Sequence, residues 1–320
     1  MTGQLARVAE PLDPGFQLLV DEIALAEAGG APRWDELTAE DLRAATRDIR
    51  KGAEPVAGVT RRDLQVGGAA RLLDARLYVP EAAARVGPGL VYFHGGGFTI
   101  GSVETHDTIV AQLAVASGVK ILSVDYRLAP EHRFPAAHDD ALASSRWAFE
   151  NADLIGFDRG RIAIGGDSAG ANLAASACLE MRGDPGRSVR FQFLLYPNTT
   201  IEGTEGSRSI YAEGYYLTLA AAKHLFRQYV TSDLARDPRI DLLRQDDLSH
   251  LPPTFLAVGH CDILFDECAA FAKKLEACGV PLTFRTYPGF IHGFYGFAHR
   301  VAMVSGAVEE AGTTLAIGLS

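Results

Sequence analysis

Short apolar runs, each ending at a glycine, a proline or an acidic residue, alternate with helical stretches over most of this chain. The runs fall at 90–93, 120–124, 161–164, 191–196, 254–258 and 282–287. They stop at His94 with three glycines, Asp125, Gly165-Gly166, Pro197, Gly259 and Pro288-Gly289 respectively. Helical patterns lie between and after them, at about 104–117, 138–151, 169–181, 218–231, 265–278 and 297–316. A continuous apolar strand has no solvated face, so helices must cover both sides of the sheet it joins. Strands joined through crossover helices run parallel. The pattern therefore predicts an α/β chain built on a mostly parallel sheet. Two alternating segments, 58–66 and 71–79, precede the runs and are separated by Gly67-Gly68. They read as a hairpin forming an antiparallel edge.

Upstream of the hairpin, 14–28 and 38–50 read as helices, the second opened by Thr38 with Asp41 in its first turn. With 48% of 320 residues apolar, a large core needs no covalent staples. Cys178, Cys261, Cys268 and Cys278 show no metal-ligand spacing and read as small buried apolar residues. A formal charge of −10 argues against nucleic acid or an anionic membrane as partner. Residues 1–16 hold no apolar core of a secretory signal, and no run approaches the roughly 18 apolar residues of a membrane span. A cytoplasmic protein without integral membrane association is the expectation. The stretch 198–217, rich in Gly, Ser, Thr and Glu, reads as an insertion able to lie over a pocket.

Chemistry concentrates where strands end. Gly166-Asp167-Ser168-Ala169-Gly170 follows one apolar run and opens a helix. A serine on so tight a strand-to-helix turn exposes its hydroxyl at the sheet's carboxyl edge. His94-Gly95-Gly96-Gly97-Phe98 follows another run, and its glycines let backbone N–H groups approach a developing oxyanion. A serine hydroxyl needs a base, and the base an orienting acid. His292 lies after the last apolar run, whereas His224 falls in a helix, His250 in a linker and His299 at the start of the last helix. For the acid, Asp262 follows the run 254–258; Asp266 is the alternative, although it and Glu267 read as first-turn acids of the next helix. His260 reads as a bystander and Asp167 as a hydrogen-bonding support.

These segments resemble the hormone-sensitive-lipase-like branch of the α/β-hydrolases, the bacterial family IV esterases. The resemblance extends to Asp125-Tyr126-Arg127-Leu128-Ala129-Pro130-Glu131-His132-Arg133-Phe134-Pro135-Ala136-Ala137, to 262–267 and to His292-Gly293-Phe294. It implies an eight-stranded sheet flanked by helices, with residues 1–55 in a helical cap, 56–320 as the catalytic domain and 198–230 contributing to the cap. It further implies hydrolysis of short- to medium-chain carboxylic esters through an acyl-enzyme, with no cofactor, no metal and a small-molecule ester as partner. Ser168 becomes the nucleophile, His292 the base and Asp262 the acid. The backbone N–H groups of Gly96, Gly97 and Ala169 become the oxyanion donors. His94, Gly95, Gly166, Asp167 and Gly170 support the two turns, and the Asp125 string braces them without itself reacting. A homodimer is compatible with the branch. The departures are Ala171, where a third glycine is common, and Cys261 before the acid. Amide, arylformamide or lactone hydrolysis would use the same machinery, as would acyl transfer. A non-catalytic ligand receptor fits less well, because all three triad positions are filled. Phe16, Trp34, Phe98, Tyr196, Tyr215, Tyr216 and Phe290 are the aromatic candidates for a pocket lining.

Overall fold

In the computed structural model of the protein, residues 9–49, 55–203 and 205–320 are described. Helices α1 (Pro14–Ala28) and α2 (Ala39–Ile49) come first. The Asp13 carboxylate accepts the Gly15 N–H at 2.9 Å, and Pro14 occupies the first helical position, where no N–H is required. At α2 the Thr38 hydroxyl accepts the Asp41 N–H at 3.2 Å and donates to the Asp41 carboxylate at 2.7 Å. The expected end of this helix at 50 lies outside the described residues.

The hairpin strands β1 (Val59–Gly67) and β2 (Leu72–Pro80) lead into β3 (Gly87–Phe93), α3 (Asp107–Ser117) and β4 (Lys120–Val124). Next come α4 (Ala136–Glu150), the single turn α5 (Ala152–Ile155), β5 (Phe157–Asp167) and α6 (Ala169–Glu180). The chain continues through β6 (Phe191–Leu195), the single turn α7 (Ser207–Ile210), α8 (Leu219–Tyr229) and β7 (Thr254–Cys261). It closes with α9 (Phe265–Ala277), β8 (Leu282–Ile291) and α10 (Met303–Gly318). The eight strands form one sheet in the order β1-β2-β4-β3-β5-β6-β7-β8. The β1–β2 and β2–β4 pairs are antiparallel and every other pair is parallel, so the hairpin does form an edge. Every residue of β4 and β6 is buried, as cover on both faces requires. Helices α3 and α10 pack together, as do α4 and α6.

Several boundaries differ from the sequence expectation: β5 begins at Phe157 and runs through Gly165-Gly166 to Asp167, and β7 runs through Gly259 to Cys261. Strand β8 continues through Pro288-Gly289 to Ile291. It lies at the sheet edge, where a proline breaks no ladder, and its register against β7 shifts between Gly259 and Cys261. His292 thus follows directly on a strand. The last helix begins at Met303, leaving His299 in the turn before it.

The insertion after β6 is pinned by buried charge. Arg208, 4% exposed, pairs with Glu267, 7% exposed, and the Arg208 Nε donates to Glu267 Oε2 at 2.9 Å. Glu267 Oε1 also accepts the Thr199 N–H at 2.9 Å, while the Asp266 carboxylate accepts the Ser207 N–H at 2.7 Å. The two acids do occupy the first turn of α9, but their work is to hold 199–208 in place.

His138 ties three helices together. Its Nδ1 lies 2.7 Å from the Tyr229 hydroxyl on α8 and its Nε2 lies 3.0 Å from the Asn172 side-chain oxygen on α6. Burial lowers its pKa from 6.5 to about 4. Between these values the unfolded chain binds a proton that the folded chain refuses. Stability therefore rises with pH across this window and falls as pH drops from 6.5 toward 4, by on the order of 3 kcal/mol from this group. Urea unfolding at neutral pH and near pH 4 is expected to show a smaller acid loss for His138→Gln than for the wild type.

Candidate active site

Strand β5 delivers Ser168 to the carboxyl edge of the sheet and α6 starts one residue later. Ser168 has φ 54° and ψ −118°, a left-handed conformation costing a residue with a side chain roughly 1–3 kcal/mol. The turn persists because its surroundings leave no alternative. The Ser168 N–H donates to the Leu195 carbonyl at 2.8 Å, and a Cβ on Gly166 or Gly170 would overlap the Phe93 carbonyl. Glycine at both positions is therefore a packing demand of the crossing between β3 and the start of α6.

The Ser168 Oγ lies 2.9 Å from His292 Nε2, and His292 Nδ1 lies 2.7 Å from Asp262 Oδ2. Asp262 is 1% exposed and His292 7%. The other carboxylate oxygen, Asp262 Oδ1, accepts the Leu264 N–H at 2.8 Å, which fixes the plane of the acid. The three side chains, drawn from the ends of β5, β7 and β8, form one continuous line of hydrogen-bonding groups. Asp266, the alternative acid, is instead engaged by Ser207. His260 Nδ1 lies 2.8 Å from a Glu10 carboxylate oxygen, tying the N-terminal segment to β7 beside Asp262. The Asp13 N–H donates to the Gly289 carbonyl at 3.0 Å and ties the same segment to β8.

Gly96 and Gly97, with φ of 122° and 58°, line a cavity of about 100 Å³ together with Ser168 and His292. Ala169 is buried at the first position of α6. Asp167 binds the glycine loop to the serine turn: its Oδ1 accepts the Gly95 N–H at 2.9 Å and the Tyr92 hydroxyl at 2.7 Å. His94 is fully buried and stacks on Tyr126 at 4.3 Å between ring centroids, and the Tyr126 hydroxyl donates to the His94 carbonyl at 2.8 Å. The string after β4 is committed to structural pairs. Arg127 grips the Asp140 carboxylate through Nε at 2.7 Å and NH2 at 2.9 Å. Glu131 is bound by Arg43 through two hydrogen bonds of 2.8 and 2.7 Å, which lower its pKa to about 2.

Only two of the seven aromatic candidates, Trp34 and Tyr216, reach the cavity, where their rings meet edge to face at 5.7 Å. Phe16, Phe98, Tyr196 and Phe290 are core residues, and Tyr215 packs against Tyr211. The rest of the wall is mostly apolar, with Ile100, Leu217, Leu225, Phe226 and Leu264, and is joined on the glycine-loop side by the polar side chains of Thr46, Thr105, His106 and Asp167. No local motif marks these positions, since an apolar helix residue reads the same whether it faces a core or a cavity. Among the described residues no cluster of His, Cys, Asp or Glu is arranged to hold a metal. Cys178, Cys261 and Cys268 are buried and Cys278 is half-buried, and among the described residues none of the four forms a disulfide. Among the described residues no helix is long and apolar enough to cross a membrane.

An eight-stranded, mostly parallel sheet with a serine at the strand-to-helix turn defines the class of the α/β-hydrolases. Residues 90–296 match the family model described as the alpha/beta hydrolase fold, and the chain belongs to that family, in its hormone-sensitive-lipase-like branch. It is 37% identical over 291 residues to the carboxylic ester hydrolase LipN of Mycobacterium tuberculosis, covering 88% of this chain and 77% of the relative. It is 34% identical over 318 residues to the carboxylesterase NlhH of the same species, covering 97% and 96%. Among solved structures it resembles an ester hydrolase from the metagenome of Lake Arreo, complexed with a bipyridine phosphonate derivative. That likeness has a TM-score of 0.91 at 37% identity and covers 96% and 98% of the two chains.

Removing the Asp167 carboxylate strands the Gly95 N–H and the Tyr92 hydroxyl. Each buried donor left without an acceptor costs about 1–3 kcal/mol. Urea unfolding of Asp167→Ala is expected to show a loss of about 2–6 kcal/mol in total, and Asp167→Asn, which keeps one acceptor oxygen, a smaller one.

Proposed function

We propose that this protein is a serine carboxylesterase that cleaves short-chain esters through an acyl-enzyme. The observation that carries the proposal is the line Asp262–His292–Ser168, opening onto an apolar cavity beside a glycine loop. The ester-hydrolase names of the relatives support the reaction class.

In this reading His292 Nε2 takes the Ser168 proton as the hydroxyl attacks the ester carbonyl. Asp262 holds the Nδ1–H tautomer and stabilises the imidazolium. The N–H groups of Gly96, Gly97 and Ala169 receive the oxyanion, each worth about 3–4 kcal/mol at the transition state. His292 then protonates the departing alkoxide. Water, deprotonated by the same imidazole, frees the acid and restores Ser168.

The cavity limits the acyl group. A dry cavity of about 150 Å³ accepts benzene, so one of about 100 Å³ suits an acyl tail of a few carbons. The described residues of the segments 1–55 and 198–230 act as the cap over it; the remainder of 1–55 lies outside the described residues. Supporting this, Arg33 pairs with Glu213 at 2.9 Å, His224 Nε2 lies 3.0 Å from the Leu37 carbonyl, and Leu42, Ile100 and Leu225 form a separate apolar cluster.

The test is hydrolysis of p-nitrophenyl esters of increasing chain length, with fluorophosphonate labelling of the same preparations. Expected is a short-chain optimum, loss of turnover and labelling in Ser168→Ala, and a fall in kcat of about 10⁴ in Asp262→Asn. A folded protein that neither turns over esters nor labels at Ser168 overturns the proposal. Trp34→Ala, which removes one face of the aromatic pair, is expected to move the optimum to longer chains, read as the ratio of kcat/KM between octanoate and acetate esters.

A further inference from the structure

A second, polar cavity of about 580 Å³ adjoins the first. Thr46, Gly101 and Thr105 line both, so the two spaces share a wall beside the glycine loop. A volume of this size lies within the roughly 300–1,000 Å³ typical of small-molecule sites.

Its position along the sheet decides which half of an ester it serves. Its lining comes from Gln65 on β1, Leu72, Leu73 and Asp74 on β2, and Asp125 just after β4. Ser168 follows β5, while Asp262 and His292 follow β7 and β8 on the opposite side. The leaving oxygen must take its proton from His292 Nε2, so the alcohol half lies toward β7 and β8. The acyl half then points the other way, toward Gly101 and the shared wall.

The lining also decides the chemistry. It carries the guanidinium groups of Arg43, Arg47, Arg71 and Arg127 and the carboxylates of Asp74, Asp125 and Glu131. Arg43 is held by Glu131 and Arg127 by Asp140. Among the described residues neither Arg47 nor Arg71 has an ion-pair partner, and the Asp74 carboxylate accepts only a 3.3 Å hydrogen bond from the Gln65 amide. Asp125 already accepts the Val103 N–H at 3.0 Å, so the lining offers donors on Arg47 and Arg71 and acceptor oxygens on Asp74, with the formal charges of the wall close to balance. Such a wall suits a group that both donates and accepts while carrying no charge. A longer alkyl tail entering it would strip water from these groups and return nothing.

Resting on the esterase reading, we propose that the polar cavity is a distal acyl subsite, and that it takes acyl chains ending in an uncharged hydroxyl-bearing group. The small apolar cavity holds the first carbons of the chain, and the polar one receives its end.

The test compares methyl ω-hydroxyalkanoates with methyl alkanoates of equal heavy-atom count, followed by pH-stat titration, with methyl acetate as reference. Expected is a kcat/KM gain for the hydroxylated chain of about three- to ten-fold, carried by KM, the worth of one net hydrogen bond. The gain is expected to collapse in the Arg47→Ala/Arg71→Ala double variant, whose side chains line the cavity, and in Thr46→Phe, which enlarges a side chain on the wall the two cavities share. Monomethyl esters of dicarboxylic acids are expected to show no such gain. Equal rates for the two tails, a gain that survives the variants, or a larger gain for the carboxylate tail overturns the proposal. Failure on every ester, methyl acetate included, with no labelling of Ser168, instead overturns the esterase reading.

Discussion

A single buried carboxylate, that of Asp167, joins the two turns on which the site is built. It sits at the end of β5, one residue before Ser168, and reaches across to the loop after β3. By accepting from Gly95 and Tyr92 through one oxygen, it sets the height of the glycine loop relative to the serine turn. The contact works only because Gly95 has no side chain; a Cβ there would occupy the carboxylate's place. Gly166 and Gly170 meet the same demand against the Phe93 carbonyl. The glycines and the acid are one solution to bringing adjacent parallel strands and a helix start into contact at a single point.

Around that point the chain invests in fixed pairs rather than mobile charges. Arg127 with Asp140 and Arg43 with Glu131 hold the string after β4, and Arg208 with Glu267 holds the insertion after β6. Breaking a buried pair such as Arg127–Asp140 or Arg208–Glu267 by removing one partner typically costs about 3–5 kcal/mol, whereas the Arg43–Glu131 pair has an exposed carboxylate and is worth far less. These pairs hold in place segments that carry little regular structure of their own. By contrast, Trp34, Leu37 and Leu42 meet Tyr216 and Leu225 largely through apolar contact, which resists sliding less than a directional pair does.

Much of this was legible in the residues. The apolar runs located the strands from β3 to β8 because a two-faced burial leaves no polar position to blur them. The hairpin was readable from alternation and the paired glycines, and Thr38 from its acid three residues on. Ser168, Asp262 and His292 stood out because each sits where a run stops. What escaped was whatever depends on contacts between distant segments. Pro288-Gly289 looks like a stop, yet an edge strand with a register shift carries straight through it. Glu267 looks like an ordinary first-turn acid until Arg208, far away in sequence, is folded onto it. The cavity wall was least readable: Phe98 and Tyr196 went to the core, while Leu217, Leu225 and Phe226 came to the surface of the pocket.

The positive φ of Ser168 has a meaning beyond the proposed reaction. A glycine in its place would occupy the same backbone without strain, so the fold alone would favour losing the hydroxyl. Stability and chemistry pull in opposite directions at this one position. Without the proposed reaction a glycine at 168 would relieve the backbone, whereas packing against Phe93 would still hold Gly166 and Gly170.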